Sequence, residues 1–86
     1  MSAERPKRRT IDAVKLEGET TLHDLQAKKM YVLNPTASLI WDLCDGDHTL
    51  GEITSEIQKR FNNQDEDIQR DVSRTIKRLT GQGLLR

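Results

Sequence analysis

The sequence predicts an α+β domain in which a three-stranded antiparallel sheet precedes three helices. Short alternations of apolar and polar residues, separated by turn-forming residues, occupy residues 10–33, a pattern typical of a small antiparallel meander. From residue 34 onward, apolar residues recur at helical spacing, and capping signals divide them into three helices. The length of 86 residues fits a single domain of this kind.

Three strands of about five residues each are predicted before the helices. In the first, at residues 14–17, apolar and polar residues alternate, and Gly18 ends it. The second covers residues 20–24 and begins with two β-branched threonines. Residues 26–28 offer a turn, and residues 29–33 form the third strand. We therefore expect consecutive strands to pair in an antiparallel meander.

The first two helices have recognisable start signals. Asn34 is a favourable N-cap and Pro35 follows at the first helical position, while Gly46 suits the left-handed residue that closes the helix. Thr49 and Glu52 have the spacing of a capping box at the start of the second helix. The apolar stripes of the three helices are Ala37, Ile40, Trp41 and Cys44; Leu50, Ile53, Ile57 and Phe61; and Ile68, Val72, Ile76 and Leu79.

Charge and glycine delimit the third helix. Residues 62–64 interrupt the second stripe, and residues 65–67 place three carboxylates at the positive end of the next helix dipole. Gly81 ends this helix, and we expect Leu84 and Leu85 to fold back onto the core.

The composition excludes several classes of protein. Fourteen basic and fourteen acidic residues give a formal net charge of zero, which argues against a general nucleic-acid binder. No stretch approaches the ~20 apolar residues that span a bilayer, and none resembles a signal peptide. A single cysteine cannot form an internal disulfide, so a cytoplasmic location is expected.

The first nine residues differ in character from the rest of the chain. Residues 1–9 carry four basic side chains and no apolar pattern, which predicts a disordered basic tail. The folded domain is accordingly expected over residues 10–86.

The residue pattern favours neither an enzyme nor a metal or cofactor site. His23 and His48 lack an acidic partner at metal-ligating spacing, and Cys44 lies on an apolar stripe, where a buried and inert thiol is expected. The acidic stretch over residues 42–56 has no compensating base and lacks the ligand pattern of a calcium loop, so it is interpreted as a solvated face. The glycines within residues 81–83 follow a helix rather than a strand and do not form a phosphate loop.

The third helix carries a basic cluster opposite its apolar stripe, consisting of Arg70, Arg74, Lys77 and Arg78. Three interpretations remain open. The cluster can be a solvated face whose charge suits the helix dipole, the groove-reading helix of a winged helix-turn-helix DNA-binding protein, or a surface that recognises an acidic protein or peptide. The zero net charge and the acidic second helix oppose DNA binding.

The third predicted strand offers a different kind of site. If residues 29–33 form the edge of the sheet, their free backbone groups can accept an extended peptide by strand addition. Backbone hydrogen bonds alone give weak affinity and no sequence choice, so specificity requires side-chain pockets beside a neighbouring helix.

A set of short motifs follows in a fixed order along the chain. They are Gly18-Glu19, Leu22 and Asp24; Leu-Asn-Pro-Thr-Ala at residues 33–37; Ile40-Trp41; Leu43; Asp45-Gly46; Thr49, Glu52 and Ile53; Asp71-Val72; Leu79; and Gly83-Leu84. In this order they resemble the PqqD family over about residues 13–85.

The resemblance implies a compact winged-helix-like module that recognises ribosomally made, post-translationally modified peptides (RiPPs). In that family the leader segment of the precursor peptide adds as a fourth strand beside the third strand and lies against the third helix. The module presents the leader to a modifying enzyme, often a radical-SAM protein, or to a leader peptidase. It performs no chemistry itself and needs no cofactor.

The resemblance also assigns site residues. The receiving strand would consist of Lys29, Met30, Tyr31, Val32 and Leu33. On the third helix the peptide would meet either Asp71, Thr75 and Arg78 on one flank or Gln69 and Ser73 on the other. The flank with Arg78 is favoured because leaders in such systems are commonly acidic. Arg70, Arg74 and Lys77 are expected to lie too far round the helix.

The remaining matched residues and partners follow from the same comparison. Asn34, Pro35, Asp45 and Gly46 are interpreted as structural, and Trp41 as core. Residues 26–29, Gln-Ala-Lys-Lys, depart from the members that make pyrroloquinoline quinone, so the chain is more similar to free-standing members that serve lasso-peptide or other pathways. We expect a monomer with neither membrane nor nucleic acid as partner; a DNA binder and a homodimer through the edge strands are the alternatives.

Overall fold

The computed structural model describes residues 5–61 and 66–85, with residue 66 described by its backbone alone. The elements in chain order are β1 (Asp12–Leu16), β2 (Glu19–Asp24), β3 (Lys29–Leu33), α1 (Pro35–Leu43), α2 (Leu50–Arg60) and α3 (Glu66–Gly81). The strands form one antiparallel sheet in the order β1-β2-β3. The predicted architecture of three strands followed by three helices is confirmed.

Two turns of different kinds connect the strands. Glu17 and Gly18, between β1 and β2, have positive φ angles of 52° and 83°. Positive φ at both central residues is typical of a type I′ turn, whose twist matches that of the flanking strands. The turn at residues 25–28 is held by Asp24, whose Oδ1 accepts a hydrogen bond from the Ala27 N–H at 3.1 Å.

Side-chain caps start the first two helices, as predicted. The Asn34 Oδ1 accepts from the Ala37 N–H at 2.8 Å, and proline occupies the first helical position. Both hydrogen bonds of the Thr49–Glu52 capping box are present, at 2.8 and 3.2 Å. The predicted break and helix start at residues 62–65 lie outside the described residues.

One apolar core joins the three helices to two of the strands. Its fully buried side chains are Leu22, Ile40, Cys44, Ile53, Ile57, Val72, Leu79 and Leu84. Helix α1 packs on β2 and β3, whereas all five residues of β1 are exposed. The predicted return of Leu84 and Leu85 to the core is confirmed. Leu50 and Phe61, predicted on the α2 stripe, are instead 37% and 48% exposed, because they lie at the two ends of the helix.

The prediction of a disordered tail is wrong for residues 6–9. The Arg8 N–H donates to the Cys44 carbonyl at 2.7 Å, and its guanidinium donates to the carbonyls of Trp41 and Asp42 at 3.1 and 2.6 Å. The Arg9 N–H donates to the Leu84 carbonyl at 3.0 Å. The physical reason is that the last carbonyls of a helix have few donors within the helix, and α1 has no basic residue in its last turn. Arg8 supplies donors there, to the Asp42 carbonyl and to the Trp41 carbonyl, which also accepts from the Cys44 N–H at 3.1 Å.

Candidate functional site

Strand β3 is an open edge of the sheet. Among the described residues it pairs with β2 alone, with Leu22 opposite Tyr31 and Thr20 opposite Leu33. An edge strand carries a row of backbone N–H and C=O groups with no partner in the sheet. The outer edge of β3 is therefore available for pairing with another extended segment.

The turn at residues 17–18 determines which groups of β3 point outward. A type I′ turn is closed by a hydrogen bond between its flanking residues, here the paired Leu16 and Glu19. Hydrogen-bonded and non-hydrogen-bonded pairs alternate along an antiparallel ladder, so that residues 20, 22 and 24 of β2 bond to residues 33, 31 and 29 of β3. Consequently, Met30 and Val32 direct their backbone N–H and C=O groups away from the sheet.

The side chains of β3 alternate between two faces. Tyr31 is half-buried and Leu33 is 4% exposed, on the face that the helices cover. Met30 and Val32 are 63% and 65% exposed on the opposite face. The structure thus shows which side chains of β3 face the core, a point that the sequence does not decide. Leu33 belongs to the core, whereas Met30 and Val32 can contact a ligand.

Helix α3 lines a cavity beside the end of β3. Helix α1 packs on both elements, but within the described chain β3 and α3 do not pack on each other. A cavity of about 400 Å³ opens beside the end of β3, and its lining consists of Asn34, Thr36, Ala37, Asp71, Arg74, Thr75 and Arg78. The structure therefore brings the three candidate residues of α3 together beside the residue that follows β3. Gln69 and Ser73 do not line it.

The position of Arg74 on α3 differs from the one predicted from the sequence. This residue was expected too far round the helix, yet it lines the cavity with Asp71 and Arg78. The spacing contains the signal, because residues three and four apart share one face of a helix. Arg74 follows Asp71 by three residues and precedes Arg78 by four.

The charges that line this cavity are not balanced. Asp71, Arg74 and Arg78 are all exposed, and none has an ion-pair or hydrogen-bond partner among the residues that the structure describes. The two guanidinium groups and one carboxylate that line this cavity leave it with one net positive charge. By contrast, Arg70 pairs with Asp67 at 3.6 Å on the same helix.

A second cavity of about 290 Å³ adjoins the first. It lies between the end of α2 and the start of α3, and its lining consists of Thr36, Ile57, Phe61, Ile68, Asp71 and Val72. Thr36 and Asp71 line both cavities. The second cavity is mostly apolar, and it includes Phe61, whose exposure the α2 stripe did not predict.

The cysteine is buried, as predicted. Cys44 has no exposed surface, and burial raises the pKa of its thiol to about 11, although the nearby Arg8 guanidinium acts in the opposite direction. At neutral pH the side chain is therefore a thiol rather than a nucleophilic thiolate.

Three carboxylates of the acidic stretch, those of Asp42, Asp45 and Glu56, have basic partners, although the sequence predicted no compensating base. Lys15 forms an ion pair with Asp42, Lys59 lies 3.7 Å from Glu56, and His48 Nδ1 lies 2.9 Å from Asp45 Oδ1. The sequence missed the first of these pairs because Lys15 comes from β1, 27 residues away. Within residues 5–61 and 66–85, no three histidine, cysteine or acidic side chains converge on a possible metal position.

The His48–Asp45 pair predicts a pH-dependent stability. The hydrogen bond with Asp45 raises the pKa of His48 above its usual 6.5, and the same bond lowers the pKa of Asp45 below 3.8. The His48 contribution is therefore complete below pH 6.5 and is lost as the pH rises through the raised value, while the Asp45 contribution is lost as the pH falls through the lowered value. We expect the urea midpoint to decrease between pH 6 and pH 8.

A His48→Gln variant provides the control, since glutamine does not titrate in this range. Its urea midpoint should change less between pH 6 and pH 8 than that of the unaltered protein. An equal decrease in both proteins would contradict a role for this pair.

Comparison with known proteins places the chain in a family. The family model described as "Coenzyme PQQ synthesis protein D (PqqD)" matches residues 14–85. The chain belongs to the PqqD family. This PqqD-family chain is similar in fold to the solved structure "TbiB1 in Complex with the TbiA(beta) Leader Peptide", with a TM-score of 0.81 and 22% sequence identity over 92% of this chain and 93% of that one. No protein with a curated description matches it.

The family match confirms the resemblance that the ordered motifs indicated. The matched residues include all but two residues of the sheet and the whole of the three helices. These are the elements that form the β3 edge and the two cavities beside it. None of the helices described here is long and apolar enough to cross a membrane.

Proposed function

We propose that this PqqD-family chain binds the leader segment of a ribosomally made precursor peptide by strand addition on β3. The observation that carries the proposal is the open β3 edge, where Met30 and Val32 direct backbone groups outward and beside whose end α3 lines a cavity. The similar solved structure is described as a complex with a leader peptide, which supports a peptide as the ligand of this fold.

The edge alone does not provide enough affinity. The N–H and C=O groups of Met30 and Val32 can form four hydrogen bonds with an added strand, and each contributes about 1 kcal/mol net. A micromolar complex requires about 8 kcal/mol. Side-chain contacts therefore supply the larger part, and the cavity that Asp71, Thr75 and Arg78 line is the place where α3 offers them.

The proposal extends to the partner that acts on the bound peptide. A strand held at the sheet edge keeps one side and both ends accessible, so that a second protein can reach the segment beyond it. We infer a radical-SAM enzyme, another RiPP-modifying enzyme or a leader peptidase as that protein, with this chain as a non-catalytic, monomeric chaperone in the cytoplasm.

A fluorescence-anisotropy titration tests the proposal against DNA binding. The probes are the labelled leader peptide encoded nearest to the gene and a labelled 20-base-pair DNA duplex, each at 50 and 200 mM salt. We expect the peptide to bind with weak salt dependence and the duplex not to bind. Binding of the duplex that decreases steeply with salt, with no binding of the peptide, would assign the basic residues of α3 to a DNA-binding protein instead.

A further inference from the structure

We propose that the peptide-binding site on the β3 edge continues beyond Leu33 into the two cavities that α3 lines. These cavities form a two-part subsite that selects one acidic and one apolar residue of the bound peptide. The acidic residue would lie between Arg74 and Arg78, and the apolar one would enter the cavity beside Phe61. The inference rests on the proposed function. It adds which kinds of residue a peptide must carry to bind at this site.

The acidic part follows from the unbalanced charge of the first cavity. Arg74 and Arg78 are one helical turn apart on the same flank of α3, and neither has a partner within the described residues. Asp71, on the same flank, offsets only one of these two charges. A carboxylate placed between the guanidinium groups would accept charge-assisted hydrogen bonds, which are shorter and stronger than neutral ones.

The apolar part follows from the lining of the second cavity. Ile57 and Val72 form its buried base, while Ile68 is half-buried and Phe61 is 48% exposed at its side. Apolar surface of this kind gains free energy when a ligand removes it from water, by roughly 25 cal/mol per Å². A cavity of about 290 Å³ is large enough for one aliphatic or aromatic side chain.

The positions of the two cavities determine the order of contacts along the peptide. Asn34 directly follows β3 and lines the first cavity, and Thr36 and Asp71 lie between the first cavity and the second. A peptide that pairs with Val32 therefore meets the arginine pair with the residues just outside the paired segment. Residues of the peptide still further from the paired segment then reach the apolar cavity.

The test is a selection that does not depend on a known precursor. A library of mRNA-displayed random 12-residue peptides is selected against the full chain, and the enriched sequences are aligned on their β-prone segment. We expect Asp or Glu to be enriched next to one end of that segment, and a large apolar residue to be enriched further from it on the same side. For a selected peptide, the double variant Arg74→Glu and Arg78→Glu should reduce affinity at least about tenfold.

Matched variants separate the subsite from a general charge effect. Repeating the selection with the double charge reversal should enrich Lys or Arg at the same position, whereas Lys77→Glu, on the same helix but outside the cavity, should leave the acidic preference unchanged. Phe61→Ser should remove the apolar preference while the acidic one persists.

The outcomes distinguish this inference from the function on which it rests. Peptides whose binding requires β3, shown by its loss in Val32→Pro, but which carry neither preference would overturn the subsite and leave the proposed function standing. If no selected peptide requires β3, the proposed function fails and the subsite with it.

Discussion

Replacing Val32 by proline should weaken binding of the leader peptide by a factor of about ten to a hundred while the domain stays folded. Proline removes the outward N–H at this position, which leaves a carbonyl of the added strand without its donor. An unpaired polar group in such an interface costs about 1–3 kcal/mol, and 1.4 kcal/mol corresponds to a factor of ten in affinity. Since the Val32 N–H does not bond to β2 in the register observed, the sheet keeps its own ladder.

Two further variants at β3 control for this result. Val32→Thr keeps the N–H and the β-branched shape, and it should bind peptide nearly as well as the unaltered chain. Tyr31→Pro removes an N–H that bonds to β2 and should destabilise the sheet itself. Isothermal titration calorimetry measures the affinities, and circular dichroism confirms folding. A folded Val32→Pro variant with unchanged affinity would contradict strand addition on β3.

Deleting residues 1–9 should lower the free energy of unfolding by about 2–4 kcal/mol, although the sequence predicted a disordered tail. The deletion removes backbone hydrogen bonds from Arg8 to Cys44 and from Arg9 to Leu84, at 2.7 and 3.0 Å, together with the one that Gly46 donates to Pro6. Each such bond contributes about 1 kcal/mol net, and the groups left without partners cost more where they are buried. The loss of the Arg8 guanidinium adds to this.

Urea unfolding followed by Trp41 fluorescence measures the effect, because Trp41 is the single tryptophan and is only 4% exposed. Arg8→Ala should account for about 1–2 kcal/mol of the loss, since its guanidinium contacts two carbonyls at the end of α1. Lys7→Ala is the matched control and should change the stability by less than about 0.5 kcal/mol. An unchanged midpoint for the deletion and for Arg8→Ala would restore the interpretation as a disordered tail.

Local signals made most of the fold predictable. The Asn34 cap, the Thr49–Glu52 capping box and the helical stripes act over three or four residues, so their residue types identify the helices directly. The strands followed from short alternations, and their pairing in sequence order followed from the short turns between them.

Long-range contacts were not predictable in the same way. The carbonyls that Arg8 contacts lie 33 and 34 residues away, so nothing in residues 1–9 alone indicates them. The orientation of β3 depends on the register that the turn at residues 17–18 sets, and Glu17 in a left-handed conformation lacks the usual Asn-Gly signal. The third strand was therefore predictable from the sequence, whereas the outward direction of the Met30 and Val32 backbone groups follows only from the register in the structure.

The candidate site likewise has a part that local sequence signals predict and a part that depends on long-range packing. The flank of α3 that carries Asp71, Thr75 and Arg78 was one of two possibilities, because helical periodicity places residues on a face but does not say which neighbour covers that face. In the structure this flank, and not that of Gln69 and Ser73, lines the cavity beside Asn34. This cavity also includes Arg74 and adjoins the Phe61 cavity, neither of which the predicted site contained.

Amide hydrogen exchange at Met30 and Val32 tests the central claim most directly. The measurement compares the ¹⁵N-labelled protein with and without the leader peptide encoded nearest to its gene. Strand addition predicts that the N–H groups of Met30 and Val32 become protected on binding, while those of β1, at the other edge of the sheet, do not change. Saturating peptide that leaves both amides unprotected, or that protects β1 instead, would contradict binding at β3.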